Sequence, residues 1–341
     1  MKALCLWHTT DDELNYIQGA MPSGTEVVVP EGEYFSRFEC TYSSIERHAV
    51  EADVFFGWTI PEGIPEISKK LKMLSWFHSG VDDLAEIGFL AHAKQHGVKV
   101  ANIRGANAIA VAEQAMMFVL ALAKQTLAKN EASRERHKYF PLFEEEHRSA
   151  MLSGQTIGVI GVGNIGSRIA KRAKAFDMRV LGVRYHKDLP DEYVDSMYGI
   201  DDLHSVLAQC DYVVLATPNT GKTFRFFGEA ELAVLKPSAF LVNIARGNLI
   251  DEQALHKALT TGCLRGYAAD VWPRYAYGRT FPVYYEPRLR IHRLPNVIGS
   301  HDQSHNADGV LQRYIQWGIE NVVEFINGKP LSREISLDLG Y

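Results

Sequence analysis

Short apolar runs alternate with helical patterns along most of the chain. The first hundred residues contain the runs KALCLW, TEVVV, VFFGW, KMLSWF and VKVAN. A second series, from residue 156 to residue 300, contains TIGVIG, MRVLGV, DYVVLAT, AFLVNI, LRGYAADV and NVIGS. Apolar runs of this length between helical segments indicate parallel strands joined by crossover helices. We therefore predict an α/β protein in which each series forms a parallel sheet.

Two further stretches have a helical pattern. Residues 108–130 are apolar on most sides for about five turns and become charged only toward their end. We predict one buried helix there, placed between domains or against another subunit. Residues 308–325 have an amphipathic pattern that is followed by the turn sequence NGKP, which predicts a helix that ends at this turn.

The composition is that of an ordinary globular protein. With 341 residues, of which 46% are hydrophobic and 23% charged, the chain is long enough for two domains with separate cores. The net charge is -5 at pH 7, and lysine and arginine form no run. We therefore expect neither nucleic acid nor a membrane surface as a partner, but small molecules and other subunits.

The cysteines and the N-terminus indicate a reducing compartment. Cys5, Cys40, Cys210 and Cys263 lie far apart and form no C-x-x-C motif, so we expect core thiols rather than a disulfide framework. The first apolar run is shorter than that of a signal peptide, and no stretch approaches the roughly 18 apolar residues of a membrane span. We therefore expect a cytoplasmic location.

A glycine-rich turn follows the first strand of the second series. Gly161, Gly163 and Gly166 have the spacing G-x-G-x-x-G between an apolar strand and a helical pattern. Glycines there permit a tight turn and a close approach of the backbone, and the first N-H groups of the helix suit a pyrophosphate. This context predicts a dinucleotide site that includes Asn164 and Ile165.

The end of the next strand favours a phosphorylated cofactor. Sites for NAD usually carry an acid at this point, but this chain has Arg184, followed by Tyr185, His186 and Lys187. A guanidinium and an ammonium suit the 2'-phosphate of NADP. We therefore predict NADP(H) as the preferred cofactor, with NAD(H) as the alternative.

A series of motifs runs in order from residue 77 to residue 272, within a likeness that extends to residue 330. FHSGVDD, ANAIAVAEQ, LSGQTIGVIGVGNIG, ATPNTGKT, LKPSAFLVNIARGNLIDEQAL and GYAADVW follow one another. The first five resemble the substrate-carboxylate loop, interdomain helix, nucleotide fingerprint, cofactor loop and arginine motif of the D-isomer-specific 2-hydroxyacid dehydrogenases. The last resembles the formate and phosphite branches of this family, which also includes phosphoglycerate and glyoxylate dehydrogenases.

The resemblance implies two Rossmann-like domains, each a parallel sheet flanked by helices. The cofactor domain, residues 107–303, is inserted into a flavodoxin-like substrate domain formed by residues 1–106 and 304–341. Members of the family usually dimerise through the cofactor domain and its long helix. A homodimer and a small anionic substrate are therefore expected.

The resemblance also implies roles for the matching residues. Arg246 corresponds to the arginine that binds the substrate's carboxylate and carbonyl, a task that suits a fixed and forked donor. Ser79 and Gly80 supply backbone N-H groups for the same carboxylate. Besides the glycine-rich turn and Arg184, the residues expected to contact the cofactor are Thr217, Pro218, Ile244, Ala245 and Asp270, the last of them near the nicotinamide carboxamide.

One departure from the family's pattern concerns an acid. Typical members have an acid 29 residues after the arginine, and here this position is Tyr275, which becomes a candidate substrate contact. Residues 273–294 contain five arginines and five aromatic residues. Glu286 is a candidate replacement for the missing acid. The segment as a whole suits either an anionic or aromatic substrate or a subunit contact.

A second departure concerns the family's histidine. Counts from Asn296 and from Gly328 both place it at Asp302, with His301 directly before. Three interpretations stay open: His301 is the general acid/base after a one-residue loop adjustment, Asp302 is the acid or a substrate-binding group, or neither transfers a proton. No metal site is expected around His301, Asp302 and His305, because further ligands are not evident.

The leading hypothesis is an NAD(P)-dependent oxidoreductase that interconverts a 2-oxo acid and a D-2-hydroxy acid. Hydride would pass to the carbonyl carbon while Arg246 polarises the oxygen and His301 or Asp302 handles the proton. Two alternatives are kept. One is direct hydride abstraction from an unusual small anion such as formate or phosphite, and the other is a nicotinamide-sensing protein that has lost fast catalysis.

Overall fold

The structure is a computed structural model that describes residues 1–135, 148–273 and 287–341. These residues form two compact units, which divide the chain after Asn107 and Asn306. Unit 1 comprises residues 1–107 and 307–341, and unit 2 comprises residues 108–135, 148–273 and 287–306. The predicted α/β class is confirmed, because each unit has one parallel sheet flanked by helices.

Unit 1 begins with alternating strands and helices. The strands are β1 (Lys2–Cys5), β2 (Glu26–Val28), β3 (Val54–Gly57), β4 (Met73–Trp76) and β5 (Lys99–Asn102). The helices are α1 (Asp11–Ala20), α2 (Tyr42–Ala49), α3 (Ile64–Ile67), α4 (Asp82–Glu86) and α5 (Phe89–His96). The spatial strand order β2-β1-β3-β4-β5 is the predicted flavodoxin-like arrangement.

Local sequence sets the ends of these helices. The Thr10 side chain accepts a hydrogen bond from the Glu13 N-H at 3.2 Å, and the Glu13 carboxylate accepts one from the Thr10 N-H at 3.1 Å. This reciprocal cap begins α1. Gly97, at φ 68°, ends α5 in the left-handed conformation that glycine adopts without strain.

Unit 2 contains the long apolar segment and a larger parallel sheet. Its helices are α6 (Ala108–Lys124), α7 (Thr126–Arg134), α8 (Asn164–Lys174), α9 (Leu203–Leu207), α10 (Glu229–Ala233) and α11 (Glu252–Thr260). Its strands are β6 (Thr156–Ile160), β7 (Arg179–Val183), β8 (Ser196–Tyr198), β9 (Tyr212–Leu215), β10 (Phe240–Asn243), β11 (Gly266–Ala269) and β12 (Val297–Gly299). The spatial order is β12-β11-β10-β9-β6-β7-β8, and it reverses between β6 and β9 as in dinucleotide-binding folds.

The apolar segment forms two helices, so the prediction of a single helix over residues 108–130 is wrong. α6 packs against α8, β10 and β11 and ends at Lys124. Gln125 adopts φ 52°, and α7 continues at an angle of 61° to α6. Within the described ranges no single helix meets the length and hydropathy of a membrane span, and only this bent pair does so when its helices are combined.

The chain returns to unit 1 with α12 (Val310–Ile326), which begins two residues later than predicted. This helix packs on β3, β4 and β5. Ser75 in β4 donates from its hydroxyl to the Gly318 carbonyl at 2.8 Å, and the Phe77 ring fills the space that a side chain at position 318 would need. α12 therefore completes the fold of unit 1.

Apolar side chains form one large cluster in unit 1 and one on each face of the sheet in unit 2. Cys5, Cys40 and Cys210 are buried, and burial raises the pKa of Cys40 and of Cys210 to about 12. Cys263 is exposed in the turn after α11. The structure therefore agrees with the expectation of core thiols for three cysteines and disagrees for Cys263.

Candidate active site

The glycine-rich turn joins β6 to α8 at the carboxyl edge of the sheet in unit 2. Gly161 has φ 105°, and a Cβ there would lie 2.6 Å from the Ala216 carbonyl. A Cβ at Gly166 would clash with the Gly161 carbonyl oxygen. Only glycine at position 166 therefore allows α8 to lie this close to the turn. At Gly163, by contrast, no heavy atom lies within 4 Å of the Cβ position. This open side leaves room for a ligand.

The first turn of α8 supplies donors to this open side. Gly163 is the N-cap of the helix, and no side chain caps the first N-H groups. Asn164 and Ile165 are the first residues of the helix, so their N-H groups have no acceptor within the helix and lie at its positive end. The turn therefore fits the pyrophosphate of a dinucleotide.

Basic side chains lie at the end of β7. Arg184 follows the strand, and its guanidinium donates to the Leu189 carbonyl at 3.4 Å. Lys222, from the loop after β9, places its Nζ 5.9 Å from the centre of the exposed Tyr185 ring. Lys222 is not among the predicted site residues, because only the fold brings it beside the end of β7.

The loop after β9 passes directly beside the glycine-rich turn. The Thr217 nitrogen lies 2.7 Å from the position that a Cβ of Gly161 would take. The Thr223 hydroxyl donates to the Pro218 carbonyl at 2.7 Å and closes the loop. Thr217 thus lies next to the glycine-rich turn, and the contacts of Thr217 and Pro218 with a cofactor stay a prediction.

Arg246 lies in the loop after β10, together with Ile244 and Ala245. The buried side chain of Asn243 fixes this loop, since it donates to the Arg246 carbonyl at 2.8 Å and accepts from the Ala245 N-H at 3.0 Å. Arg246 is half-buried, and its guanidinium donates to the Ala245 carbonyl at 2.9 Å. Asn243 was not predicted, and its position at the end of a buried strand is the only signal in the sequence.

Asp270 follows β11 and is only 1% exposed. One carboxylate oxygen accepts from the Ser300 hydroxyl at 2.5 Å and from the Gln303 N-H at 2.9 Å, and the other accepts from the Ser304 N-H at 3.1 Å. All three donors belong to the loop after β12. Asp270 therefore binds this loop, and its contact with a nicotinamide carboxamide stays a prediction.

The loop that Asp270 binds contains both candidate proton carriers. His301 has φ 57° and Asp302 has φ 58°, so two consecutive residues with side chains are left-handed. Each such residue costs about 1 kcal/mol or more. The Asp302 N-H donates to the Asp270 carbonyl at 2.5 Å, which ties the middle of the turn to β11. The choice between His301 and Asp302 stays a prediction.

The predicted carboxylate loop lies after β4 in unit 1. Ser79 donates from its hydroxyl to the Asn107 side chain at 3.0 Å and accepts at its carbonyl from the Asn102 side chain at 2.9 Å. Neither the Ser79 nor the Gly80 backbone N-H donates to an acceptor within residues 1–135, 148–273 and 287–341. Two consecutive N-H groups of this kind suit an anion.

Some predictions cannot be placed. Tyr275 and Glu286 lie outside the described residues, as does the segment between them. In the part of the chain that the structure does describe, no group of three histidine, cysteine or acidic side chains is arranged to hold a metal ion.

Comparisons with known proteins match the same region. Residues 116–300 match the family model of the D-isomer specific 2-hydroxyacid dehydrogenase, NAD binding domain. The D-3-phosphoglycerate dehydrogenase of Methanocaldococcus jannaschii is 34% identical over 269 residues, which are 76% of this chain and 47% of that protein. This chain thus spans about half the length of that relative. The hydroxypyruvate reductase of Thermotoga maritima is 32% identical over 240 residues, or 70% of this chain and 72% of that protein.

A solved structure has the same fold along nearly the whole chain. A D-isomer specific 2-hydroxyacid dehydrogenase family protein from Aeromonas salmonicida is 26% identical and superposes with a TM-score of 0.78 over 99% of both chains. The matched family region includes the glycine-rich turn, Arg246 and Asp270. This chain belongs to the D-isomer-specific 2-hydroxyacid dehydrogenase family.

Proposed function

We propose that the protein reduces a 2-oxo acid to the D-2-hydroxy acid with NADPH, or catalyses the reverse oxidation. The reaction class is that of its family. The observation that carries the proposal is the Arg246 loop, whose backbone Asn243 fixes at the carboxyl edge of the sheet that carries the glycine-rich turn, and in which Arg246 is half-buried with its guanidinium bonded to the Ala245 carbonyl. A guanidinium in a fixed position binds a carboxylate with two parallel bonds and stabilises charge on a neighbouring oxygen.

The described residues take distinct parts in this reaction. When bound, the nicotinamide supplies or accepts the hydride. The glycine-rich turn and α8 would hold the pyrophosphate, and Arg246 binds the carboxylate and stabilises the negative charge that develops on the carbonyl oxygen. His301 or Asp302 transfers the proton at that oxygen. Ser79 and Gly80 keep their predicted role toward the substrate carboxylate.

The reaction is tested by mixing NADPH, and separately NADH, with a panel of 2-oxo acids and following the loss of near-ultraviolet absorbance. We expect rapid oxidation with at least one acid. Arg246→Ala should lower kcat/KM by about 100-fold or more, and Arg246→Lys should restore part of it. Unchanged turnover in Arg246→Ala would show that another group binds the substrate. If only formate or phosphite were oxidised, or no substrate reacted despite cofactor binding, one of the two alternative hypotheses would replace this proposal.

The preference for NADP(H) rests on Arg184 and Lys222. Both cations lie at the end of β7, where doubly wound folds bind the adenosine ribose. Arg184→Ala should lower kcat/KM for NADPH by about tenfold and leave that for NADH within about twofold. Arg179→Ala, at the opposite end of the same strand, is the matched control and should change neither value. Equal losses with both cofactors in Arg184→Ala would contradict the preference.

A homodimer is proposed as well. The surface between α6 and α8 is an open apolar groove whose lining includes Met116, Met117, Leu120 and Phe176. Apolar grooves of this kind on an otherwise polar surface suit a subunit contact. Light scattering of the purified protein measures the mass directly, and a monomer at micromolar concentration would contradict the proposal.

A further inference from the structure

A group of aromatic side chains lies at the carboxyl edge of the sheet in unit 1. His8 follows β1, Trp58 follows β3, and Tyr34, Phe35 and Phe38 belong to the loop between β2 and α2. The Tyr34 ring lies 4.4 Å from the His8 ring, and Phe38 packs edge-on against Trp58 at 5.2 Å, both measured between ring centres. We call these five residues the aromatic shelf.

The base of the shelf is held in place by an ion pair. Arg37 donates two hydrogen bonds to the Glu13 carboxylate, at 2.8 and 3.0 Å, and its guanidinium lies 4.2 Å from the centre of the Phe38 ring. The His8 N-H donates to the Arg37 carbonyl at 2.8 Å. Burial alone would raise the pKa of Glu13, but the bonds from Arg37 and from the Thr10 N-H outweigh burial and keep this pKa below its ordinary value. The pair is therefore fully charged, and neutral overall, at pH 7.

The tip of the shelf is open to solvent. Tyr34 is 54% exposed and Phe35 is 77% exposed, whereas Trp58 at the base is 9% exposed. Phe35 makes no ring contact with any described residue. Exposed aromatic side chains on a loop whose base is fixed are typical of binding surfaces rather than of packing.

The position of the shelf is that of a ligand site. The strand order of this sheet reverses between β1 and β3, and ligands of doubly wound sheets bind outside the carboxyl ends of the strands at such a point. The shelf also adjoins the loop after β4. Phe77 lies 4.9 Å from Trp58 between ring centres, and two residues later the chain reaches the N-H groups of Ser79 and Gly80, which have no acceptor among the described residues. A carboxylate site and an aromatic surface are thus neighbours in one unit.

We infer that the substrate is a 2-oxo acid with an uncharged aromatic side chain, whose ring packs on the aromatic shelf. This inference rests on the proposed function and names the substrate class. Arg37, the cation at the shelf, is paired with Glu13, and partial burial lowers the pKa of His8, so that His8 is neutral at pH 7. Neither Arg37 nor His8 therefore offers a free positive charge to a phosphate or a second carboxylate. Glyoxylate has no side chain to contact it, whereas an aromatic ring can stack on it.

The test compares kcat/KM for phenylpyruvate with the values for pyruvate and 2-oxoglutarate. We expect phenylpyruvate to exceed both by about tenfold or more. Tyr34→Ala and Phe35→Ala should each lower the phenylpyruvate value by about fivefold or more and the pyruvate value by less than about twofold, and Tyr34→Phe should retain the preference. Tyr16→Ala is the matched control, because Tyr16 is 45% exposed on α1 and is no part of the shelf.

The outcomes separate this inference from the proposed function. Equal efficiencies for phenylpyruvate and pyruvate, or a preference that Tyr34→Ala and Phe35→Ala leave unchanged, would overturn the inference and leave the reductase intact. If no 2-oxo acid reacted, the proposed function would fail, and calorimetric titration with phenyllactate and lactate would decide the inference. Tighter binding of phenyllactate that is lost in Phe35→Ala would support it, and equal or absent binding would overturn it.

Discussion

Asp270 stabilises an unfavourable backbone conformation next to the candidate proton carriers. The left-handed pair His301 and Asp302 costs about 1 kcal/mol or more for each residue. A hydrogen bond to a charged acceptor contributes about 1.5 to 3 kcal/mol, and Asp270 accepts several from Ser300, Gln303 and Ser304. The carboxylate can therefore hold a turn for which the chain has no glycine.

Replacing Asp270 should release this turn. We expect Asp270→Ala to lower kcat by about tenfold or more and to lower Tm, because three hydrogen bonds are lost and the turn relaxes. Ser300→Ala removes one donor only and should have a smaller effect on both. Steady-state kinetics and thermal denaturation measure the two quantities. A rise in the KM for the cofactor, with kcat and Tm unchanged, would support the carboxamide contact and contradict the role in holding the loop.

Candidate site residues that stand in sequence motifs were predicted, whereas residues whose role depends on burial or on contacts in the fold were not. Arg246, Asp270 and the pair His301 and Asp302 stand in recognisable motifs, so the sequence pointed to them. The contribution of Asn243 depends on its burial and on two hydrogen bonds to the next loop, neither of which has a sequence pattern. Lys222 is likewise recognisable only once the loop after β9 is seen beside β7.

The helices and strands follow the apolar pattern closely where they are long and buried. β8 was not predicted, because SMY is a three-residue, half-buried edge strand without a clear apolar pattern. The break between α6 and α7 was missed for a different reason. Glutamine is a good helix former, so Gln125 gives no local signal, and the left-handed conformation is imposed by the surrounding fold.

The turn between β6 and α8 allows its glycines to be tested separately. Gly166→Ala should lower Tm, because the new Cβ would clash with the Gly161 carbonyl. Gly163→Ala should leave Tm nearly unchanged, because no heavy atom lies within 4 Å of the new Cβ. The same substitution should weaken binding of NADPH about tenfold, because the new methyl group would occupy space that the pyrophosphate needs. Thermal denaturation and fluorescence titration with NADPH separate the two effects. Normal NADPH affinity in Gly163→Ala would place the pyrophosphate elsewhere.

At the scale of the whole molecule, the candidate site residues are distributed over both units. Unit 2 contains the glycine-rich turn, Arg184, Arg246 and Asp270, whereas unit 1 contains Ser79, Gly80 and the aromatic shelf. The motifs predict domains that change at residues 107 and 304, and the compact units change after Asn107 and Asn306. The chain has no linker of distinctive composition, so its sequence marks the change only through the motifs.

Cofactor binding should therefore stabilise the two units unequally. At a concentration of 100 Kd a ligand adds about 2.7 kcal/mol to the stability of the fold that binds it. We expect NADPH to slow amide hydrogen exchange most strongly in β6, α8 and the loop after β9, and least in β5 and α5. Exchange measured by mass spectrometry with and without NADPH gives the comparison. Equal protection in both units, or none, would contradict the placement of the cofactor site.

The packing of α12 on β4 has a consequence for the order of folding. Ser75 and Phe77 need Gly318 as a partner, so unit 1 cannot be completed until α12 has left the ribosome. Unit 2, which is synthesised in between, has all its strands available earlier and can fold first. During synthesis the five early strands are thus exposed for the time needed to make some two hundred residues. Chaperones that bind apolar strands should therefore capture nascent chains that contain the five strands but lack α12 more often than chains that already include α12.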